Sequence, residues 1–412
     1  MSRSLLLSST LLLAFASPAR ADVVTDWNAA LLDAVKNTST NPPRASRAMA
    51  MVHIAIFEAV NGIADEFQRY NVQGKPNPSA SIDAAAAMAA HQVLSAVFPT
   101  QVAAFDAQLG ASLAGIPTGP RNRGIEWGLV CAQDVLALRS DDNSNLVIPY
   151  FPPVGPGYWI PTPPAFAPSL LPNWPQVTPF CMSSGSALRS AGWPALTSAE
   201  YTANFDEVKE IGGAVSALRT PEQSEIALFW ADNAGTETPP GHWLRIASEI
   251  AEQRELPTVE RARLFALLGM GVADAAIVAW DSKYAFHNWR PVTGIREAAS
   301  DGNPDTVEDP TWLSFIPTPP FPSYTSGHST FSSASAKVLA RVLRSDEIAF
   351  STTSQGLVGV TRSFARFSDA AAEAGQSRIY GGIHWQYDNQ AGLESGAALG
   401  AYVFENFLRP LE

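Results

Sequence analysis

All-α is the fold class that this sequence predicts, and three observations predict it. Apolar and alanine-rich stretches recur with helical spacing from Asp26 onward, proline and glycine punctuate them, and period-two alternation, the mark of a half-buried strand, is sparse. At 412 residues, 46% hydrophobic and 16% charged, the chain can bury a large core. Extensive disorder is therefore excluded, and one large domain or two fused ones is expected. No internal repeat is visible.

The formal charge of -12 excludes a nucleic acid or an anionic membrane as partner, because both require a basic face. An anion site in such a chain has to be a local positive pocket within an acidic shell. Self-association into a homo-oligomer is left open.

Residues 1–21 run from a basic start at Arg3 through leucine-rich segments to a small-residue end at Ala19-Arg20-Ala21. That pattern reads as a secretory leader, and its apolar run is shorter than the ~20 residues a bilayer span needs. The expectation is a secreted or periplasmic protein, with no later segment apolar enough to span and no stable membrane insertion. Residues 22–148 form an N-terminal helical region. Within it, Arg47 to Val60 is apolar almost all round, which predicts a helix inside a bundle; His53 in that run reads as a core histidine.

Residues 149–195 shift to proline, glycine and aromatics (Tyr150, Phe151, Tyr158, Trp159, Phe166, Trp174, Phe180). Such a stretch cannot continue a helix, so a long ordered loop wrapped over the bundle is expected, able to wall a site mouth. Helices resume in residues 196–412, at Ser198, at the capping-box start Thr220-Pro221-Glu222-Gln223, and after Pro257 in a run reaching Lys283. Cys131 and Cys181 are the only cysteines, and the sequence leaves open whether they pair.

Three blocks in this last region carry the chemistry. In the first, Lys283 and Arg290 lie seven positions apart, close to one face if the helix continues, with Pro291 marking its stop. In the second, Ser326-Gly327-His328 precedes an Ala/Ser/Val-rich helical run, placing a hydroxyl and a glycine amide at a helix N-terminus, where an anion is cradled. In the third, Arg378 and His384 are separated by Gly381-Gly382, a helix interruption that lets guanidinium and imidazole converge. Each block alone admits a bland reading as surface ion pair, N-cap or bend. Three cations, a hydroxyl, an amide and two histidines in one order describe a single oxyanion site.

Written as K-x6-R-P, then S-G-H, then S-R-x5-H, these blocks resemble the vanadium-dependent haloperoxidases and the type-2 phosphatidic acid phosphatases, one all-helical superfamily. The likeness covers about the C-terminal half, and Thr325 departs from it where the family usually has proline. The resemblance implies vanadate as cofactor, with phosphate able to occupy the same site. It implies that His384 binds the metal, that Lys283, Arg290, Arg378, Ser326 and the Gly327 amide hold the oxygens, and that His328 is the acid/base. Trp280 and Phe321 match positions lining the halide side of the pocket in fungal chloroperoxidases, while algal bromoperoxidases carry histidine where Phe321 stands. Asp232 is the candidate partner of Arg378.

The activity so implied is oxidation of halide by hydrogen peroxide to hypohalous acid, delivered to a small organic acceptor. The chief alternative is a soluble acid phosphatase of the same superfamily working through a phosphohistidine at His384, and a second is a non-catalytic phosphate-binding helical protein. His242 and His287 are further candidates for groups behind the site, with His91 read as structural.

Overall fold

A computed structural model describes residues 22–411; the expected secretory leader lies outside the described residues. The helices are α1 (Val23–Asn37), α2 (Pro42–Ala64), α3 (Ile82–Val97), α4 (Val102–Leu113), α5 (Thr118–Leu138), α6 (Ala199–Ile211), α7 (Pro221–Phe229), α8 (Thr238–Gln253), α9 (Thr258–Phe286), α10 (Pro291–Arg296), α11 (Gly327–Val342), α12 (Phe367–Tyr380) and α13 (Gln386–Asn406). The class is all-α, with one departure: β1 (Phe350–Thr353) and β2 (Thr361–Phe364) pair antiparallel as a small hairpin. It is too short for the period-two pattern to have shown itself.

Local chemistry sets the helix starts. Asp22, Asn41, Ser81 and Ser198 each cap a helix by accepting a backbone N–H, and Thr220 with Gln223 forms the expected capping box with Pro221 at the first turn. The centre of the molecule is α9, buried on all sides from Arg261 to Lys283, with α2 and α11 packed against it. The main apolar core runs across the 149–195 loop in sequence, joining residues of α1 to α5 with those of α7 to α9 and α11 to α13. On α13, Gly392, Gly396 and Gly400 recur every fourth residue where it meets α11; a Cβ at Gly396 would stand 2.4 Å from the Thr330 carbonyl. Those glycines let two helices approach that each carry part of the site.

One sequence expectation is corrected here. Both α2 and α9 are long and apolar enough to cross a bilayer by length and composition, although each is largely buried inside the protein. Burial on all sides produces the same apolar composition as a lipid-facing span. Cys131 and Cys181 are buried free thiols, and burial raises both above the ordinary thiol range.

The proline-rich loop is tied to α9 at two levels. Buried Asp274 accepts the backbone N–H groups of Phe180, Cys181 and Met182 at 2.7, 2.8 and 3.1 Å. Nearer the helix end, the Leu170 carbonyl accepts Trp280 Nε1 at 3.1 Å and Tyr284 Oη at 2.6 Å. Replacing Asp274 by alanine strands three buried donors at ~1–3 kcal/mol each. The expected outcome is a thermal midpoint lowered by several degrees, read by calorimetry, with proteolytic nicking appearing in residues 149–195.

Candidate active site

The first block departs from the helical reading. Helix α9 ends at Phe286; His287 takes a left-handed conformation (φ 53°) and Arg290 is the extended N-cap residue of α10, with Pro291 at its first turn. Lys283 and Arg290 therefore do not share a helix face. Pro291 starts a helix instead of stopping one, both being positions that proline favours. Arg290 still reaches the expected place: Nη1 donates to the Ile383 carbonyl at 2.7 Å and lies 3.0 Å from His384 Nε2, while Nε donates to the Phe321 carbonyl at 2.8 Å. Its Nη2 is buried without a partner.

Lys283 is fully buried, and its ammonium donates to the carbonyls of Pro322, Ser323 and Thr325. All three of its hydrogens are taken by that loop. The ammonium is thus directed at the loop that precedes the cradle. Burial, reinforced by Arg290, holds it well below the ordinary ammonium range.

The second block forms the expected cradle. Ser326 is the N-cap of α11; its Oγ accepts Ser329 N at 3.3 Å and lies 2.8 Å from Ser329 Oγ, which is also 2.8 Å from Asn389 Oδ1. Gly327 opens the helix, and its side is unfilled: a Cβ there would make only ordinary contact, 3.6 Å from the Trp280 ring. His328 follows, with an enclosed Nε2 that has no hydrogen-bond partner.

The third block turns as predicted. Helix α12 ends at Tyr380, and Gly382 adopts φ 75°, where a Cβ would strike the Gly212 carbonyl at 2.0 Å. The chain then brings His384 to Arg290, just before α13. His384 Nδ1 lies 2.9 Å from Asp388 Oδ2 and 3.3 Å from Ser323 Oγ. Asp388 Oδ2 also accepts the Trp385 N–H at 3.1 Å and the Ser323 hydroxyl. A carboxylate at Nδ1 keeps the proton there and leaves the Nε2 lone pair facing Arg290. Asp388 is the residue that sequence reasoning missed. Its signal was the spacing of four from His384, although it lies one helical turn on only because α13 begins in between.

Arg378 is buried, with Nε donating to Ser377 Oγ at 2.8 Å and Nη2 to the Ala227 carbonyl at 3.0 Å. Asp232 is not in contact with it. The Asp232 carboxylate instead meets His242 Nδ1 at 3.1 Å and acts on Arg378 and His328 through its charge. A left-handed backbone at Asp232 (φ 42°) aims the side chain toward His242, which helical phase could not have revealed. Trp280 and Phe321 do form one wall, with ring centroids 4.9 Å apart; the Lys283 ammonium stands 5.1 Å and the Arg290 guanidinium 4.8 Å from the Phe321 ring.

The remaining histidines sort plainly. His287 turns to the loop, 2.9 Å from Tyr150 Oη. His53 bonds Asn28 and stacks on Phe265 in the core, and His91 bonds Asp106.

Charge dominates this pocket. Burial brings Arg290 down to about 9 and Arg378 down to about 10, and burial with Arg378 pushes His328 down to about 3. Burial and the surrounding cations hold His384 well below its ordinary value, while burial pushes Asp388 up to about 6. Both imidazoles are thus neutral near pH 7. Three buried cations against Asp388 and Asp232, with orphaned donors on Arg290 and an orphaned nitrogen on His328, match a compact oxyanion bearing several acceptor oxygens.

The same shifts predict an acid limit. Below pH 6.5 the unfolded chain takes up protons that His328, His384 and core His53, itself pushed down to about 3 by burial, refuse when folded, so stability falls on acidification. Asp274 and Asp388, raised by burial from 3.8 to about 6, act in the opposite sense over a narrower span. The thermal midpoint of the apo-protein is expected to drop between pH 6.5 and pH 4; a flat or rising midpoint there would mean the imidazoles are charged in the folded state.

Comparison with known proteins agrees with this geometry. A family model described as the VCPO second helical-bundle domain matches residues 263–412, the segment holding all three blocks. Vanadium chloroperoxidase of Curvularia inaequalis is 27% identical over 477 residues, covering 85% of this chain and 75% of its own. Among solved structures, the first bacterial vanadium-dependent iodoperoxidase superposes with a TM-score of 0.84 at 27% identity, covering 96% of this chain and 99% of that one. A holo-type bacterial vanadium-dependent chloroperoxidase superposes with a TM-score of 0.71 at 19% identity over 89% of this chain and 93% of that one, a likeness of fold.

Proposed function

We propose that this chain is a vanadium-dependent haloperoxidase, like the proteins it resembles, and that it binds vanadate and oxidises halide with hydrogen peroxide to hypohalous acid. The observation that carries the reading is the His384 imidazole: its Nδ1 is held by Asp388 and its Nε2 faces Arg290, in a pocket where Arg290 Nη2 and His328 Nε2 lack protein partners. His384 would ligate vanadium. Arg290 Nη2, Arg378, the Ser326 hydroxyl and the Gly327 amide would hold its oxygens, with Lys283 fixing the 322–325 loop and adding charge. Bound vanadate supplies a Lewis acid that keeps one oxidation state throughout.

The protein's own steps follow from that. Neutral His328, with a free Nε2, accepts the proton that peroxide gives up and later returns one to the departing oxygen. Arg290 and Arg378 neutralise negative charge on the oxygens without moving, because their other donors are anchored on backbone carbonyls. Trp280 and Phe321 present an apolar wall to a weakly hydrated halide, and the product passes to a small organic acceptor. Residues 1–21 would direct secretion or export to the periplasm.

A phosphatase reading draws on the same lone pair, since His384 Nε2 is also placed to attack a phosphate ester. The Trp280–Phe321 wall favours the halide. The deciding experiment is a halogenation assay with and without added vanadate, run beside a phosphomonoester assay on the apo-protein. Halide oxidation that depends on vanadate supports the proposal, and phosphomonoester turnover alone sinks it. Phe321→His is expected to lower chloride oxidation relative to bromide, because an imidazole replaces the apolar face; an unchanged ratio would remove Phe321 from the halide side.

A further inference from the structure

Behind the acid/base histidine lies a buried polar chain that the reaction as described does not use. His242, fully buried on α8, places Nδ1 3.1 and 3.3 Å from the two Asp232 oxygens and Nε2 3.1 Å from Thr352 Oγ1 on β1. Arg245, one turn further along α8, donates from Nη1 to the same Thr352 oxygen at 3.3 Å and is itself paired with Glu237 at 2.8 Å. The His242 ring stacks on Trp230 with centroids 4.8 Å apart.

The directions of these bonds are fixed by their inner end. The Asp232 carboxylate only accepts, so the proton it meets is carried by His242 Nδ1. With the proton on Nδ1, Nε2 is left to accept the Thr352 hydroxyl, whose oxygen also takes Arg245 Nη1. Asp232 is thereby held from behind, while its charge bears on the two site groups nearest it, His328 and Arg378.

We propose that His242 is a positioning residue for the oxyanion site, fixing Asp232 so that this carboxylate balances Arg378 and His328 without binding either of them. Without the Nδ1–H, Asp232 is left with the Arg378 charge and the neutral His328 imidazole, and turns onto them. Arg378 is then drawn off the oxyanion, and His328 loses the neutrality that proton acceptance needs. In catalytic terms this rests on the haloperoxidase reading; in binding terms it does not.

The test uses the whole chain, with orthophosphate as the probe for the apo-protein and vanadate-dependent halide oxidation for the loaded one. His242→Phe keeps the ring against Trp230 and removes both nitrogens; phosphate affinity and halide turnover are each expected to fall about ten-fold or more, the scale of losing a group that orients a ligand. His242→Asn restores an N–H at the Nδ1 position and should recover most of both. Full affinity and turnover in His242→Phe overturn the proposal, as does a folded His242→Asn that fails equally. Should His242→Phe not fold, the wild-type imidazole 15N shifts decide: a proton on Nδ1 of His242 supports the assignment, and an unprotonated Nδ1 overturns it. If the wild type oxidises no halide with vanadate, the functional reading falls while the phosphate arm still judges His242.

Discussion

Replacing His384 by alanine is expected to abolish vanadate binding, whereas replacing His328 by alanine is expected to keep the ion and lose turnover. The split follows from what each imidazole touches. His384 is locked between Asp388 at Nδ1 and Arg290 at Nε2, so its nitrogen is presented to a ligand at a fixed point, and removing it takes away a neutral donor held among cations. The expected loss of vanadate affinity is about a thousand-fold or more, ~4 kcal/mol. His328 has no partner at Nε2, and its loss leaves Arg290, Arg378, Ser326 and the Gly327 amide in place. Turnover is expected to fall about 10²–10⁴-fold, the range general acid–base groups supply. Titration of each variant with vanadate, followed by halide oxidation at saturation, separates the two; equal vanadate affinity in wild type and His384→Ala refutes the ligand assignment.

How much of this site was legible in the sequence depends on whether the signal was local. Ser326-Gly327 could be read because a cap and a helix start are written within a few residues, and Gly382 because a positive φ has few tenants. The all-α class was legible for the same reason, several helices carrying their own caps at the first turn. Arg290 was placed correctly in the pocket by the wrong route, since Pro291 at a helix start and proline after a helix end look alike in one dimension. Lys283 was legible as a buried cation, but not the three carbonyls that occupy it, which belong to a loop some forty residues away. Asp232 with His242, and His242 with Thr352, are pairings across three elements. No period or motif encodes them, because they arise only when the hairpin closes over α8.

The second large effect is expected at Asp388, a position where charge and hydrogen-bond direction can be separated. Asp388→Asn preserves shape, yet one face of the new amide donates where the carboxylate only accepted. The Ser323 hydroxyl, the Trp385 N–H and the His384 Nδ1–H all converge on Oδ2. If the amide oxygen takes that place, His384 keeps its tautomer but loses the negative charge that makes Nε2 a strong ligand. If the amide nitrogen takes it, the proton moves to Nε2, where it blocks coordination. Either way turnover falls, by about ten-fold in the first case and by as much as ~10⁴-fold in the second, as when a triad histidine is held in the wrong tautomer. The imidazole 15N shifts of His384 distinguish the two, since they report which nitrogen bears the proton. Wild-type turnover in Asp388→Asn would mean that His384 needs no anion behind it, and the three cations around it would then have to set its lone pair by themselves.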